Sequence, residues 1–148
     1  MAGLHCLGGA VRPCTFSSAP ARGARVGAMP LEPCPDSPNC VSTQADPKDA
    51  DHFMEPVTYT ADLAVVVQAI EGAISGAGGT VVSAVDQRVE AIFTTKFLKF
   101  KDDVHFELDD DAKLIHFRSA SRVGYSDLGA NRKRMDALLE EIRVRIGS

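Results

Sequence analysis

Five basic side chains fall between positions 118 and 134: Arg118, Arg122, Arg132, Lys133 and Arg134, with Asp127 the single acid among them. Ser119, Ser121 and Ser126 add hydroxyls, Asn131 adds an amide, and Gly124 and Gly129 let the backbone turn. Guanidinium groups, hydroxyls and the free N–H groups of a helix start are what an oxyanion needs. The residues expected to bind an anion, or an acidic segment of a partner, are therefore Arg118, Ser119, Ser121, Arg122, Ser126, Asn131, Arg132 and Arg134. A purely structural arrangement competes with this reading. The ten residues from Asp102 to Asp111 carry six acids, and ion-pair networks gather charge without function. Asp102, Asp103 and Asp127 are the candidates for such structural ion pairs.

Other chemistries fare worse. A Ser-His-Asp arrangement needs a histidine within reach of a nucleophile. His116 lies near Ser119 and Ser121, but side chains alternate along a strand, so His116 and Ser119 point to opposite faces. There is no G-x-S-x-G, P-loop or dinucleotide glycine pattern; Gly76, Gly78 and Gly79 close a helix and do not open one. His105 and His116 with Glu107 could hold a metal across two strands, and Asp102 with Asp103 could form a carboxylate pair. Solvated histidines and salt-bridged acids are the plainer readings, so no metal and no cofactor is expected. Cys34 and Cys40 bracket a turn-prone segment, CPDSPNC. A local disulfide, two free thiols and a redox pair all remain open there. The C-x5-C spacing is not the C-x-x-C of dithiol oxidoreductases. A zinc site would need further ligands, with His52 the nearby candidate.

The elements that must position these residues follow from periodicity. Val57 to Thr60 reads as a short strand after Pro56. Leu63, Val66, Val67, Ile70 and Ile74 have the spacing of a helix with one buried face, capped at Thr60 or Asp62 and ended by the glycines. Thr80 to Val85 is a β-branched strand, and Asp86-Gln87-Arg88 a turn. Val89 to Phe97 is a strand with Val89, Ala91, Phe93, Thr95 and Phe97 on one face. In Asp103 to Leu108 and Leu114 to Ser119 the apolar residues alternate. A tight turn at Asp110-Asp111 predicts Val104 opposite Phe117 and Phe106 opposite Ile115. The same register sets His105 opposite His116 and predicts an Asp103–Arg118 ion pair. A last helix begins near Asp127 or Ala130, buries Met135, Leu138, Leu139, Ile142 and Ile146, and ends at Gly147. Its first turn carries Arg132, Lys133 and Arg134, the wrong sign for the helix dipole. The fold class is α+β in the order β-α-β-β-β-β-α, an antiparallel meander with both helices on one face. The topology resembles helix-grip or TATA-binding-protein-like half-units, a likeness that carries no function.

The 148 residues divide into a tail at 1–33, a cysteine-containing irregular segment at 34–56 and one α+β domain at 57–148. Residues 1–31 contain Arg12, Arg22 and Arg25 and no acid, in an Ala-, Gly- and Ser-rich context. That composition fits an organelle transit peptide, plastid ahead of mitochondrion, although a plain disordered tail would look similar. Cys6 and Cys14 would leave with it. Residues 34–148 carry 13 basic and 19 acidic residues, a net charge of −6, which argues against general nucleic-acid binding. No apolar run is long enough to span a bilayer.

Three segments in order, CPDSPNCVS, FKDDVHFEL and RSASRVGYSDLGANRKR, resemble the domain-of-unknown-function 1499 family over roughly residues 34–146. The resemblance implies that Cys34, Cys40, Asp102, Asp103, Arg118, Ser119, Ser121, Arg122, Gly124, Asp127, Gly129, Asn131 and Arg132 matter, and assigns a role to none of them. It also implies bacterial and plastid-bearing sources, in keeping with the transit reading. Three functions stay open: a non-catalytic binding module at the Arg118–Arg134 surface, an enzyme orienting a phosphate or carboxylate substrate with the same arginines, and an organelle structural or docking factor.

Overall fold

The structure is a computed structural model that describes residues 28–147. Of the tail at 1–33, residues 1–27, with Cys6 and Cys14, lie outside that range, so the transit-peptide reading falls mostly outside the described residues. Eight elements follow one another: β1 (Cys40–Ser42), β2 (Val57–Thr58), α1 (Leu63–Gly76), β3 (Thr80–Val85), β4 (Arg88–Thr94), β5 (Lys101–Asp109), β6 (Leu114–Ser121) and α2 (Ala130–Ile146). The strands form one antiparallel sheet in the order β1-β6-β5-β4-β3, with β2 also pairing β6. The α+β meander with both helices on one face is what the periodicity predicts.

Alternation decides which face is buried. Val89, Ala91 and Phe93 on β4, Val104, Phe106 and Leu108 on β5, and Ile115 and Phe117 on β6 all lie in the core. Opposite them, α1 buries Val66, Ala69, Ile70, Ala73 and Ile74, and α2 buries Met135, Leu138, Leu139 and Ile142. At the centre Phe106 and Phe117 are directly paired, their rings tilted with centroids 6.3 Å apart. Such an aromatic pair adds about 0.5–1.5 kcal/mol beyond its area burial.

Several boundaries differ from expectation, each for a physical reason. The β5–β6 register is two residues away from the predicted one: Val104 faces Ser119, Phe106 faces Phe117 and His105 faces Arg118. A slip of two keeps every side chain on its face, so patterning alone could not distinguish the registers. The turn sets the register, with Lys113 in the left-handed region at φ 56°. Asp103 consequently faces Ala120 and pairs with Arg122, not Arg118. β4 stops at Thr94, and Phe97, expected inside, is 95% exposed at a hairpin tip. The segment 34–56, expected to be irregular, supplies β1. Between β1 and β2 the Thr43 hydroxyl accepts a hydrogen bond from the Phe117 N–H at 3.1 Å, standing in for a strand partner on that edge. Ordered contacts begin before residue 34. The Met29 N–H donates to Glu107 and the Leu31 N–H to Gln44, and Leu31 is buried.

Gly79 shows how tightly the sheet meets the helix layer. A Cβ there would lie 2.5 Å from the Phe93 ring, whose core position leaves it little room to move. At Gly72 a Cβ would meet only the flexible end of Arg145. Gly79→Ala is expected to destabilise by about 1–3 kcal/mol in chemical denaturation, and Gly72→Ala to be neutral or mildly stabilising because alanine favours a helix interior.

Candidate functional site

The stretch singled out by its arginines does not form one surface. β6 divides it. Ser119 and Ser121 share the helix-facing side with Ile115 and Phe117, and Arg118 points to the other side. Arg118 is 7% exposed; its Nη2 donates to the Pro33 carbonyl at 3.3 Å and lies 3.9 Å from Glu32, and its Nε has no partner.

On the helix-facing side the polar residues close over the end of the core. Asn131, in the first turn of α2, is wholly buried. Its Nδ2 shares two hydrogens among the Asp127 carboxylate at 2.7 Å, the Ser121 hydroxyl at 2.9 Å and the Asn39 carbonyl at 3.1 Å. Its Oδ1 accepts from the Ser119 hydroxyl and from Arg134 Nη1. Arg134 Nη2 donates to the buried Asp102 at 2.6 Å, and its guanidinium lies 4.9 Å from the centre of the Phe93 ring. The cationic first turn of α2 is thereby compensated. Asp127 accepts the N–H groups of Gly129 and Asn131, at 2.9 and 2.8 Å, and caps the helix. Burial pushes the Asp127 carboxyl upward, but the hydrogen bonds from Asn131 and Gly129 outweigh it and hold it below its ordinary value.

The remaining candidates are also engaged. Arg122 makes a two-pronged contact with Asp103 at 2.7 and 2.8 Å, and that guanidinium holds the Asp103 carboxyl below its ordinary value. Arg132 Nη2 donates to the carbonyls of Ala50, Asp51 and Phe53. The Ser126 hydroxyl accepts the Leu128 N–H. Asp102 and Asp103 point to opposite faces, each toward its own arginine, and do not act as a carboxylate pair. His105 and His116 face Arg118 and Glu107, not each other, and Glu107 is already held by Arg88 and the Met29 N–H.

Cys34 and Cys40 are joined by a disulfide with Cα atoms 5.7 Å apart. The closed loop presents Asn39, whose carbonyl accepts from Asn131 and whose amide donates to the Gly124 carbonyl at 2.6 Å. Both ring nitrogens of His52 have protein partners: Nδ1 pairs with Asp49 at 2.6 Å and Nε2 with the Ser37 carbonyl at 3.0 Å. A shallow cavity of about 300 Å³ lies beside it, bounded by Leu31, Pro33, Cys34 and Asp46.

Sequence reasoning missed one surface. The β4–β5 hairpin exposes Lys96, Phe97, Leu98, Lys99 and Phe100. The β6–α2 loop beside it exposes Val123, Tyr125 and Leu128, with Tyr125 at 76% and Leu128 at 88%. The two loops are tied by the Arg122 N–H to the Lys101 carbonyl at 3.0 Å and by the Asp102–Ser121 pairing. The available signal was the segment KFLKFK, in which apolar residues and lysines interleave without an acid.

Two measurements follow. Asn131→Ala leaves Asp127, Ser119 and Ser121 without their shared partner and should cost about 2–4 kcal/mol in denaturant titrations. Arg122→Ala, at an exposed pair, should not shift the midpoint resolvably. For His52, acceptance of its proton by Ser37 raises the pKa above the ordinary 6.5, against burial and with help from Asp49. The stabilisation is therefore full below about pH 6.5 and fades as pH climbs through the raised value. The Tm gap between wild type and His52→Gln should be wide at about pH 6 and narrow at about pH 9.

The description "Protein of unknown function (DUF1499)" belongs to the family model that matches residues 30–142, most of the described chain. No curated protein and no solved structure matches. Among the described residues no helix is long and apolar enough to cross a membrane. The match covers more than half of the chain, and the protein belongs to the DUF1499 family.

Proposed function

We propose that the protein is a non-catalytic docking module that engages its partner through the end built from hairpin 95–100 and loop 122–129. The observation that carries this reading is the pairing of exposure with internal satisfaction. Phe97, Tyr125 and Leu128 stand in solvent beside lysines, while the arginines that looked available are held by protein oxygens. Large apolar side chains grouped at one place on a surface mark interaction sites, whereas scattered ones do not. The backbone also supports a built feature. Leu128 is held in the left-handed region at φ 54°, a conformation unfavourable for a leucine, by the Ser126 and Asp127 turn.

An enzyme that orients a phosphate or carboxylate with these arginines gains no support from the same geometry. Arg118 lies across the sheet from Arg134, and Arg122 and Arg132 are tied to separate acceptors. Ser119 and Asn131 are wholly buried. Delivery to a plastid rests on the acid-free first 31 residues and belongs to the same proposal: the mature domain would dock inside the organelle.

The test is native sedimentation of the protein from gently opened cells of its own source. Wild type is expected to travel with a larger assembly or with membranes, and Phe97→Ser/Leu128→Ser to lose that association by at least about tenfold. The variant should keep the wild-type Tm, because both side chains face solvent. A wild type that sediments as a free single chain would overturn the reading.

A further inference from the structure

We propose that the partner at this end is an anionic membrane surface, an inference that rests on the docking reading and names what is docked to. Three observations point to lipid.

The first is shape. Hairpin 95–100 is closed by the Thr95 N–H to the Phe100 carbonyl at 2.9 Å and by the Phe100 N–H to the Thr95 hydroxyl at 2.9 Å. Phe97 and Leu98 therefore sit at the outermost point of a convex turn. Tyr125 and Leu128 stand exposed on the loop that follows β6, whose first residue, Arg122, bonds the Lys101 carbonyl at the base of the hairpin. A protein groove would have to match two protrusions from different loops, whereas a deformable interface accepts both.

The second is chemistry. Lys96, Lys99 and Lys101 interleave with the apolar residues of the tip, and no ion pair engages them among the described residues. The acids beside the patch, Asp103 and Asp127, are committed to Arg122 and to the start of α2. Apolar side chains that enter the headgroup boundary while lysines meet lipid phosphates are the pattern of interfacial anchoring. A tyrosine at the rim suits the headgroup level, where its ring and its hydroxyl find different surroundings.

The third is the charge of the rest. Residues 34–148 are net −6 even with these lysines counted, so the remainder of the domain is more acidic still. An anionic surface repels that remainder and attracts the tip, which orients the molecule with the hairpin down. No spanning helix is needed for such an attachment.

The experiment is vesicle pelleting with the full chain. Phosphatidylcholine vesicles are compared with vesicles containing about one third phosphatidylserine. Wild type is expected to pellet with the anionic vesicles and to stay in solution with the neutral ones. Phe97→Ser/Leu128→Ser and Lys96→Glu/Lys99→Glu should each lower the bound fraction by at least about tenfold with unchanged Tm. Binding that survives both variants would place the attraction on Arg12, Arg22 and Arg25 and overturn the proposal. A wild type that ignores vesicles would also overturn it. If that protein still sediments with an assembly from its own cells, the docking reading stands and the partner is a protein. If it instead self-associates at the same end in analytical ultracentrifugation, the partner is a second copy.

Discussion

Asn131 is the point on which the architecture depends. Its side chain joins the disulfide loop through Asn39, β6 through Ser119 and Ser121, the β6–α2 loop through Asp127, and β5 through Arg134 and Asp102. An asparagine can do this because one short side chain both donates and accepts. A buried network of this kind is costly if one member is lost, since each partner has been taken out of water to meet it. It also specifies geometry in a way an apolar contact does not. Met135, four residues on, would tolerate sliding against its neighbours; Asn131 has fixed acceptors.

That network explains what was readable in the sequence and what was not. The helices were readable because 3.6-residue periodicity in α1 and α2 reports burial directly, down to Ile70 and Ile142. Strand faces were readable for the same reason. Register was not, because a slip of two preserves the pattern and the turn geometry at Lys113 decides it. Phe97 was misplaced because alternation says which face a residue takes and not where a strand stops. Asn131 belongs to the buried stripe of α2, one turn before Met135, yet a polar residue is invisible to a count of apolar positions. The ion-pair partners of Asp102 and Asp103 were readable as a class, since acids beside arginines must be neutralised. Their identities depended on the register.

Charge is sorted by the fold, and the sorting redirects attention. In sequence the arginines look like the active feature. In the structure they bond within the protein: Arg134 answers the buried Asp102, and Arg132 reaches the carbonyls of Ala50, Asp51 and Phe53 nearer the surface. Arg134 under that obligation is a poor ligand for a second anion, because releasing it would strand the buried Asp102. The lysines of the 96–101 hairpin carry no such obligation among the described residues. Their strongly hydrated point charges on flexible stems suit contact with a fluid anionic surface more than recognition of one fixed oxyanion.

The two halves are one mechanism if the network is what holds the tip in its pose. Asn39 grips the Gly124 carbonyl, Asp127 is shared between the Asn131 side chain and the Gly129 N–H, and Tyr125 is left projecting between those two anchors with Leu128 just past the second. A loop fixed at both ends would lose little freedom on meeting the proposed partner, and low ordering cost is where affinity is most readily gained from a small surface. The disulfide contributes at one remove. It closes the short loop that carries Asn39, so the covalent bond acts on local shape rather than on the stability of the whole domain. Polar burial thus sets the position of the exposed apolar side chains, which would otherwise be a liability at the end of an acidic domain.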